Sequence, residues 1–112
     1  MNRLTSHVLD LALGQPARGL ALRLEVLEGE IWRPLAASVT DADGRADDLL
    51  AGAALQARPH RLTFETGAYF AATGRPSFYP RVEVTFDVTA PAEHHHVPLL
   101  LSPFGYSTYR GS

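Results

Sequence analysis

At 112 residues the chain can bury one hydrophobic core but falls far short of the roughly 250 residues of a barrel enzyme. Its 46% hydrophobic and 20% charged content suits a soluble globular fold, and a net charge of −2 offers nucleic acid no basic surface. All ten basic residues are arginine and cysteine is absent. That excludes lysine Schiff bases, a phosphate-loop lysine, thiol nucleophiles, thiolate metal sites and disulfides.

The opening MNRLTSHVLDLALG is weakly basic, but His7 and Asp10 interrupt any apolar leader core. No run approaches the ~18–20 apolar residues of a membrane span, so a cytoplasmic protein with no membrane partner is expected. His7 falls in a first strand beside Asp10. GQPARG at 14–19 is a turn, and LALRLEVLE alternates Leu20, Leu22, Leu24 and Val26 against Ala21, Arg23 and Glu25. EGE at 28–30 turns the chain into IWRPLAASVT, where Pro34 predicts an edge or a bulge because proline cannot donate to a ladder. DADGR at 41–45 is a turn, and HRLTFET resumes alternation with Leu62 and Phe64. One short helix follows: Thr66 caps it, GAYFAAT forms it and Gly74 stops it. RVEVTFDV then sets Val82, Val84, Phe86 and Val88 against polar partners, and TAPAEH at 89–94 is a loop. Period-two alternation with regular turns predicts an all-β, two-sheet antiparallel sandwich with one short helix, a single domain over 1–112.

Chemistry concentrates in the histidines. In a strand His94 and His96 share a face while His95 points away. A solvated strand edge explains the triplet as simply as function does. An H-x-H pair also suits a metal, but the barrel hydrolases that use one are far longer, and a small zinc site stays open. His60 reads as packing or surface. No G-x-S-x-G elbow exists for a serine nucleophile. Phe104, Tyr106 and Tyr109 cluster without a basic stripe, so core packing is expected of them rather than base stacking.

The final segment HHHVPLLLSPFGYSTYRGS closely resembles the ending of the 5-hydroxyisourate hydrolases, or transthyretin-like proteins. LTSHVLDLALGQPARGLALRLE, TDADGR, FETGAYF and FYPRVEVTF resemble further motifs of that family, so the likeness spans nearly the whole chain. The resemblance implies a transthyretin-like sandwich of about eight strands, assembled as a homotetramer (a dimer of dimers) with sites at subunit interfaces. It implies hydrolysis of 5-hydroxyisourate in urate degradation, without metal or other cofactor. Carried over by motif, His7, Arg45 and His96 form the catalytic set, and His94, Tyr109, Arg110, Gly111 and Ser112 line the site. The family's tyrosine between the two histidines is His95 here.

Opening a cyclic amide with water needs a base and a stabiliser for the developing oxyanion. A neutral imidazole with a pKa near ~6.5 serves as base, and a guanidinium offers a permanently charged fork. His7 and His96 are expected to face each other, one as base and the other orienting or donating, with Arg45 on the substrate's carbonyls or anionic nitrogen. The tail is expected to dock through Tyr106 and Tyr109, with Ser112 Oγ and the terminal carboxylate near a histidine or water. A non-catalytic small-molecule carrier and an interaction domain are the competing readings. The paired histidines and the Tyr-Arg-Gly-Ser ending argue against the carrier.

Overall fold

The computed structural model describes residues 4–112. Nine strands and one helix follow in chain order: β1 Leu4–Asp10, β2 Gln15–Pro16, β3 Ala21–Glu28, β4 Ile31–Val39, β5 Arg45–Ala46, β6 Pro59–Phe64, α1 Thr66–Ala72, β7 Val82–Asp87, β8 His95–Ser102 and β9 Gly105–Thr108. They build two sheets. One runs β2-β1-β8-β9, with β5 also on β1; the other runs β4-β3-β6-β7. No helix among the described residues is long and apolar enough to cross a membrane.

The alternating residues do what period two requires. Leu20, Leu22, Leu24 and Val26 are buried, as are Leu62 and Phe64, and Leu4, Val8, Leu99 and Leu101 face them from the first sheet. Each such side chain, fully buried, stabilises the fold by about 1.5–3 kcal/mol. Gly29 and Glu30 close the β3–β4 hairpin, with Gly29 at φ +65°. The β3–β4 register shifts between Leu24 and Glu25, which pair with Ala36 and Pro34. Pro34 therefore sits at a bulge on an edge strand, where its missing donor is harmless.

Several expectations are corrected. The sandwich is not wholly antiparallel: β1 and β8 pair in parallel, from Leu4 opposite His95 to Asp10 opposite Leu101. The entire second sheet lies between them in sequence, so no hairpin dictates their relative direction. GQPARG is not only a turn, since Gln15–Pro16 pairs with β1. Thr66 is the first helical residue rather than the cap, and it is buried with Oγ1 unpartnered among the described residues. Glu65 holds the cap position without capping through its side chain, which is engaged by Arg23 and Arg81. Gly74 does end the helix, at φ +69° with its N–H donating to Ala71 O. Phe104, Tyr106 and Tyr109 are not core residues; they are 68%, 43% and 58% exposed. Tyr106 lies on β9, the edge of its sheet, and Phe104 and Tyr109 flank that strand.

Asp10 anchors the helix rather than partnering His7, because alternation puts the two on opposite faces of β1. Its fully buried carboxylate accepts from Tyr69 Oη at 2.8 Å, Arg75 Nη2 at 2.6 Å and Leu13 N at 3.2 Å. Burial alone would raise its pKa. The hydrogen bonds from Arg75, Tyr69 and Leu13 outweigh that and hold it below the usual aspartate value.

Candidate active site

The buried residues of β1 are Leu4, Ser6, Val8 and Asp10, so Thr5, His7 and Leu9 lie on the opposite, outer face. Register then assembles a site from three strands. His7 pairs with Arg45 on β5, while on β8 His7 pairs with Pro98 and Thr5 with His96. Paired positions share a face, so Thr5, His7, Arg45 and His96 occupy one patch of the first sheet's outer surface. His7, Arg45 and His96 are 38 to 89 residues apart in sequence, yet both His7 and Arg45 lie close enough to His96 to act on its charge.

The DADGR turn aims Arg45. Asp41 Oδ1 accepts from the N–H of Asp43 at 2.9 Å and of Arg45 at 3.0 Å, and Gly44 N donates back to Asp41 O. The Arg45 N–H is the main reason the Asp41 carboxyl sits below its usual pKa. Gly44 is at φ +74°, and a Cβ there would lie 2.4 Å from Val8 O, so only glycine fits. The Arg45 guanidinium makes no hydrogen bond or ion pair among the described residues and is exposed. It is a free fork.

His7 Nε2 lies 2.9 Å from the Asp43 carbonyl. A carbonyl only accepts, so Nε2 carries the proton and Nδ1 of the neutral ring keeps its lone pair. His96 Nδ1 is 2.7 Å from Thr5 Oγ1, which also lies 2.9 Å from His94 Nε2. Burial pushes the His96 pKa below the imidazole value, and the nearby charges of His94, Arg45 and His7 push it further. At neutral pH it is an uncharged base.

The tail reaches this site through Gly111. Its N–H donates to His96 O at 2.8 Å, and a Cβ there would stand 2.5 Å from His96 Cδ2. Glycine lets the tail lie against the ring. Arg110 turns instead to Glu93 at 3.3 Å, with both side chains mostly exposed. Tyr109, with Arg110, lines a cavity of about 210 Å³ that also borders Val84, Phe86, His95 and His96. Ser112 is exposed and makes no polar contact among the described residues. His95 points inward as alternation requires, buried, with Nδ1 donating to Glu93 O. Sequence reasoning missed Thr5, although its spacing of two from His7 put it on the same face. It also missed the Asp43 carbonyl, which no side-chain pattern reveals.

These features define a transthyretin-like sandwich with a histidine-bearing site on one outer sheet face. The family comparison agrees: the chain belongs to the HIUase/Transthyretin family, whose model matches residues 4–111. It is 49% identical over 111 residues to the 5-hydroxyisourate hydrolase of Mus musculus, covering 97% of this chain and 94% of that protein. The structure of Klebsiella pneumoniae 5-hydroxyisourate hydrolase superposes with a TM-score of 0.85 at 42% identity, covering 97% of this chain and 98% of that one. Sea bream transthyretin in complex with thyroxine superposes with a TM-score of 0.91 at 34% identity, over 97% of this chain and 94% of that one.

Proposed function

We propose that this protein hydrolyses 5-hydroxyisourate to 2-oxo-4-hydroxy-4-carboxy-5-ureidoimidazoline in urate degradation, with His7, Arg45 and His96 as the catalytic set. The observation that carries the reading is the adjacency, in a relative of named hydrolases, of two imidazoles and one unpaired guanidinium on a single sheet face. Water attacks the amide carbonyl as an imidazole takes its proton; the carbonyl oxygen gains negative charge beside Arg45. The ring C–N bond then breaks. One proton of the water ends on the leaving ureido nitrogen and the other departs as the new carboxyl ionises. The same reading assigns Tyr109, Arg110, Gly111, Ser112 and His94 to the lining of the site, supported by Gly111 on His96 and by His94 on Thr5.

Assembly as a homotetramer with sites at subunit interfaces belongs to the same proposal. It is supported by the open edges of β7 and β9, the last strands of their sheets, and by exposed Phe78, Tyr79, Phe104, Tyr106 and Tyr109. Light scattering of the purified protein should give the mass of four chains; a monomer would remove that part.

The closer superposition on a thyroxine-bound transthyretin favours a second reading, a non-catalytic carrier. Against it stands the polar chemistry of the outer face, where an unpaired guanidinium and three imidazoles would meet an apolar ligand. The deciding test generates 5-hydroxyisourate with urate oxidase and follows its ultraviolet decay. Acceleration over spontaneous decay supports the hydrolase. Unchanged decay together with saturable thyroxine binding supports the carrier.

A further inference from the structure

The Thr5 hydroxyl holds two imidazoles at once. Its Oγ1 lies 2.7 Å from His96 Nδ1 and 2.9 Å from His94 Nε2, and the two rings stand 6.3 Å apart and 20° from parallel. A threonine hydroxyl has one proton, so it donates to one ring while the other ring donates to it. Two neutral arrangements satisfy both contacts. In the first, His96 donates from Nδ1 to Thr5 and Thr5 donates to His94 Nε2, leaving a lone pair on His96 Nε2. In the second, His94 donates from Nε2, Thr5 donates to His96 Nδ1, and His96 Nε2 carries the proton. His7 has no such choice, because its Nε2 meets a carbonyl.

We propose that Thr5 is a positioning residue that relays a proton between His96 and His94, switching His96 Nε2 between base and acid without leaving an imidazolium in the site. The proposal rests on the hydrolase reading for its catalytic meaning, but the coupling of the two rings does not. As water attacks, its proton passes to His96 Nε2. The Nδ1 proton of His96 moves to Thr5 Oγ1, the hydroxyl proton moves to His94 Nε2, and the Nδ1 proton of the exposed His94 ring leaves to solvent. When the substrate C–N bond breaks, His96 Nε2 gives its proton to the leaving nitrogen. The transfers then run back, with His94 taking a proton from solvent. Only N–H and O–H bonds change in the relay, and each group returns to its starting complement.

The surroundings explain why a neutral switch is useful. The groups facing His96 are His94 beside it in sequence, His7 from β1 and Arg45 from β5, with Arg110 and Asp87 around the cavity it also borders. Arg110 is paired with Glu93, which leaves Arg45 as the unpaired positive charge among them, so a lasting imidazolium would stand half-buried beside a fixed positive group. Gly111 packed against the Cδ2 edge of His96 keeps Nδ1 turned to Thr5.

Thr5→Val keeps the shape and removes the hydroxyl; Thr5→Ser keeps the hydroxyl. Thr5→Val should lower kcat about 10- to 100-fold with KM little changed, a fraction of what acid–base catalysis supplies, and Thr5→Ser should restore most of it. The solvent-isotope proton inventory on kcat should be curved in the native enzyme and linear in Thr5→Val. Imidazole ¹⁵N spectra of the substrate-free protein should show His94 and His96 exchanging tautomers together, and locked in Thr5→Val. Native turnover by Thr5→Val, equal losses in both variants, or ¹⁵N shifts with both rings always donating to Thr5 would each overturn the relay. If the native protein does not hydrolyse 5-hydroxyisourate, the ¹⁵N spectra still decide the coupling, so the two readings fail separately.

Discussion

The outer faces of the two sheets are both polar, but their charges are disposed differently. On the β4-β3-β6-β7 sheet every prominent arginine has a carboxylate. Arg61 meets Glu25 at 2.7 Å while lying over Trp32 at 4.4 Å, Arg33 meets Glu28 at 2.8 Å, and Arg23 and Arg81 share Glu65. On the other sheet Arg45 has no carboxylate among the described residues, and there the ring nitrogens of His7, His94 and His96 hydrogen-bond only to a carbonyl and a hydroxyl. Paired charges spend their hydrogen-bonding capacity on each other and contribute little to stability at a surface. Unpaired ones keep it for a ligand. The contrast singles out the candidate site without reference to any relative.

The sharpest way to break this comparison is to remove the unpaired groups. His96→Ala or His7→Ala should lower kcat/KM about 100- to 10,000-fold in the ultraviolet decay assay, with the thermal midpoint little changed. Arg45→Ala should cost about 100- to 1,000-fold, the loss seen when an oxyanion donor is deleted. Near-native turnover by either kind of variant would refute the site. In the unmodified protein, the acid limb of kcat/KM should fall below 6.5, because burial and positive neighbours depress the His96 pKa. Gly111→Ala tests whether the tail holds the His96 ring: a methyl 2.5 Å from Cδ2 must displace it, and a shift of about 1 Å can cost 100-fold.

Stability should respond elsewhere. Asp10→Asn leaves Arg75 facing a neutral amide, and urea unfolding should show a loss of about 3 kcal/mol, the low end for breaking a buried pair. His60 is a quieter test. It is fully buried with Nε2 unpartnered among the described residues, and burial depresses its pKa, partly offset by the hydrogen bond to Arg58 O. The unfolded chain binds a proton near 6.5 that the fold resists. Stability is therefore full above that pH and declines as pH falls toward the folded value, by at most about 1.4 kcal/mol per pH unit for this group. His60→Phe should flatten the thermal midpoint between pH 7 and pH 5. Smallest of all, Arg33→Ala should change stability by less than about 1 kcal/mol and leave turnover intact. A large effect there would dissolve the distinction between the two faces.

Much of the architecture could be read from the chain because a strand advertises its buried face by alternation. Leu20 through Val26, Leu62 with Phe64, the bulge at Pro34 and the shared face of His94 and His96 all follow from period two and proline's missing donor. The aromatic tail departs from expectation for the same reason: Phe104, Tyr106 and Tyr109 are apolar enough for a core, and nothing local says that the strand they lie on or flank, β9, is an edge. Thr66 looked like a cap because its residue type suits one, while the neighbouring Glu65 took the position with its side chain committed to arginines across the sheet.

Local pattern thus determined which residues lie together on each strand, since the direction of a side chain along an extended backbone depends only on parity. Pairing between strands decided everything else about the site. The parallel contact of β1 with β8 sets Thr5 beside His96 across 91 residues, and the turn after β4 puts a carbonyl under His7 and a guanidinium opposite it. Those neighbours come from sheet register, which arises from burying all the inward faces at once rather than from any one segment.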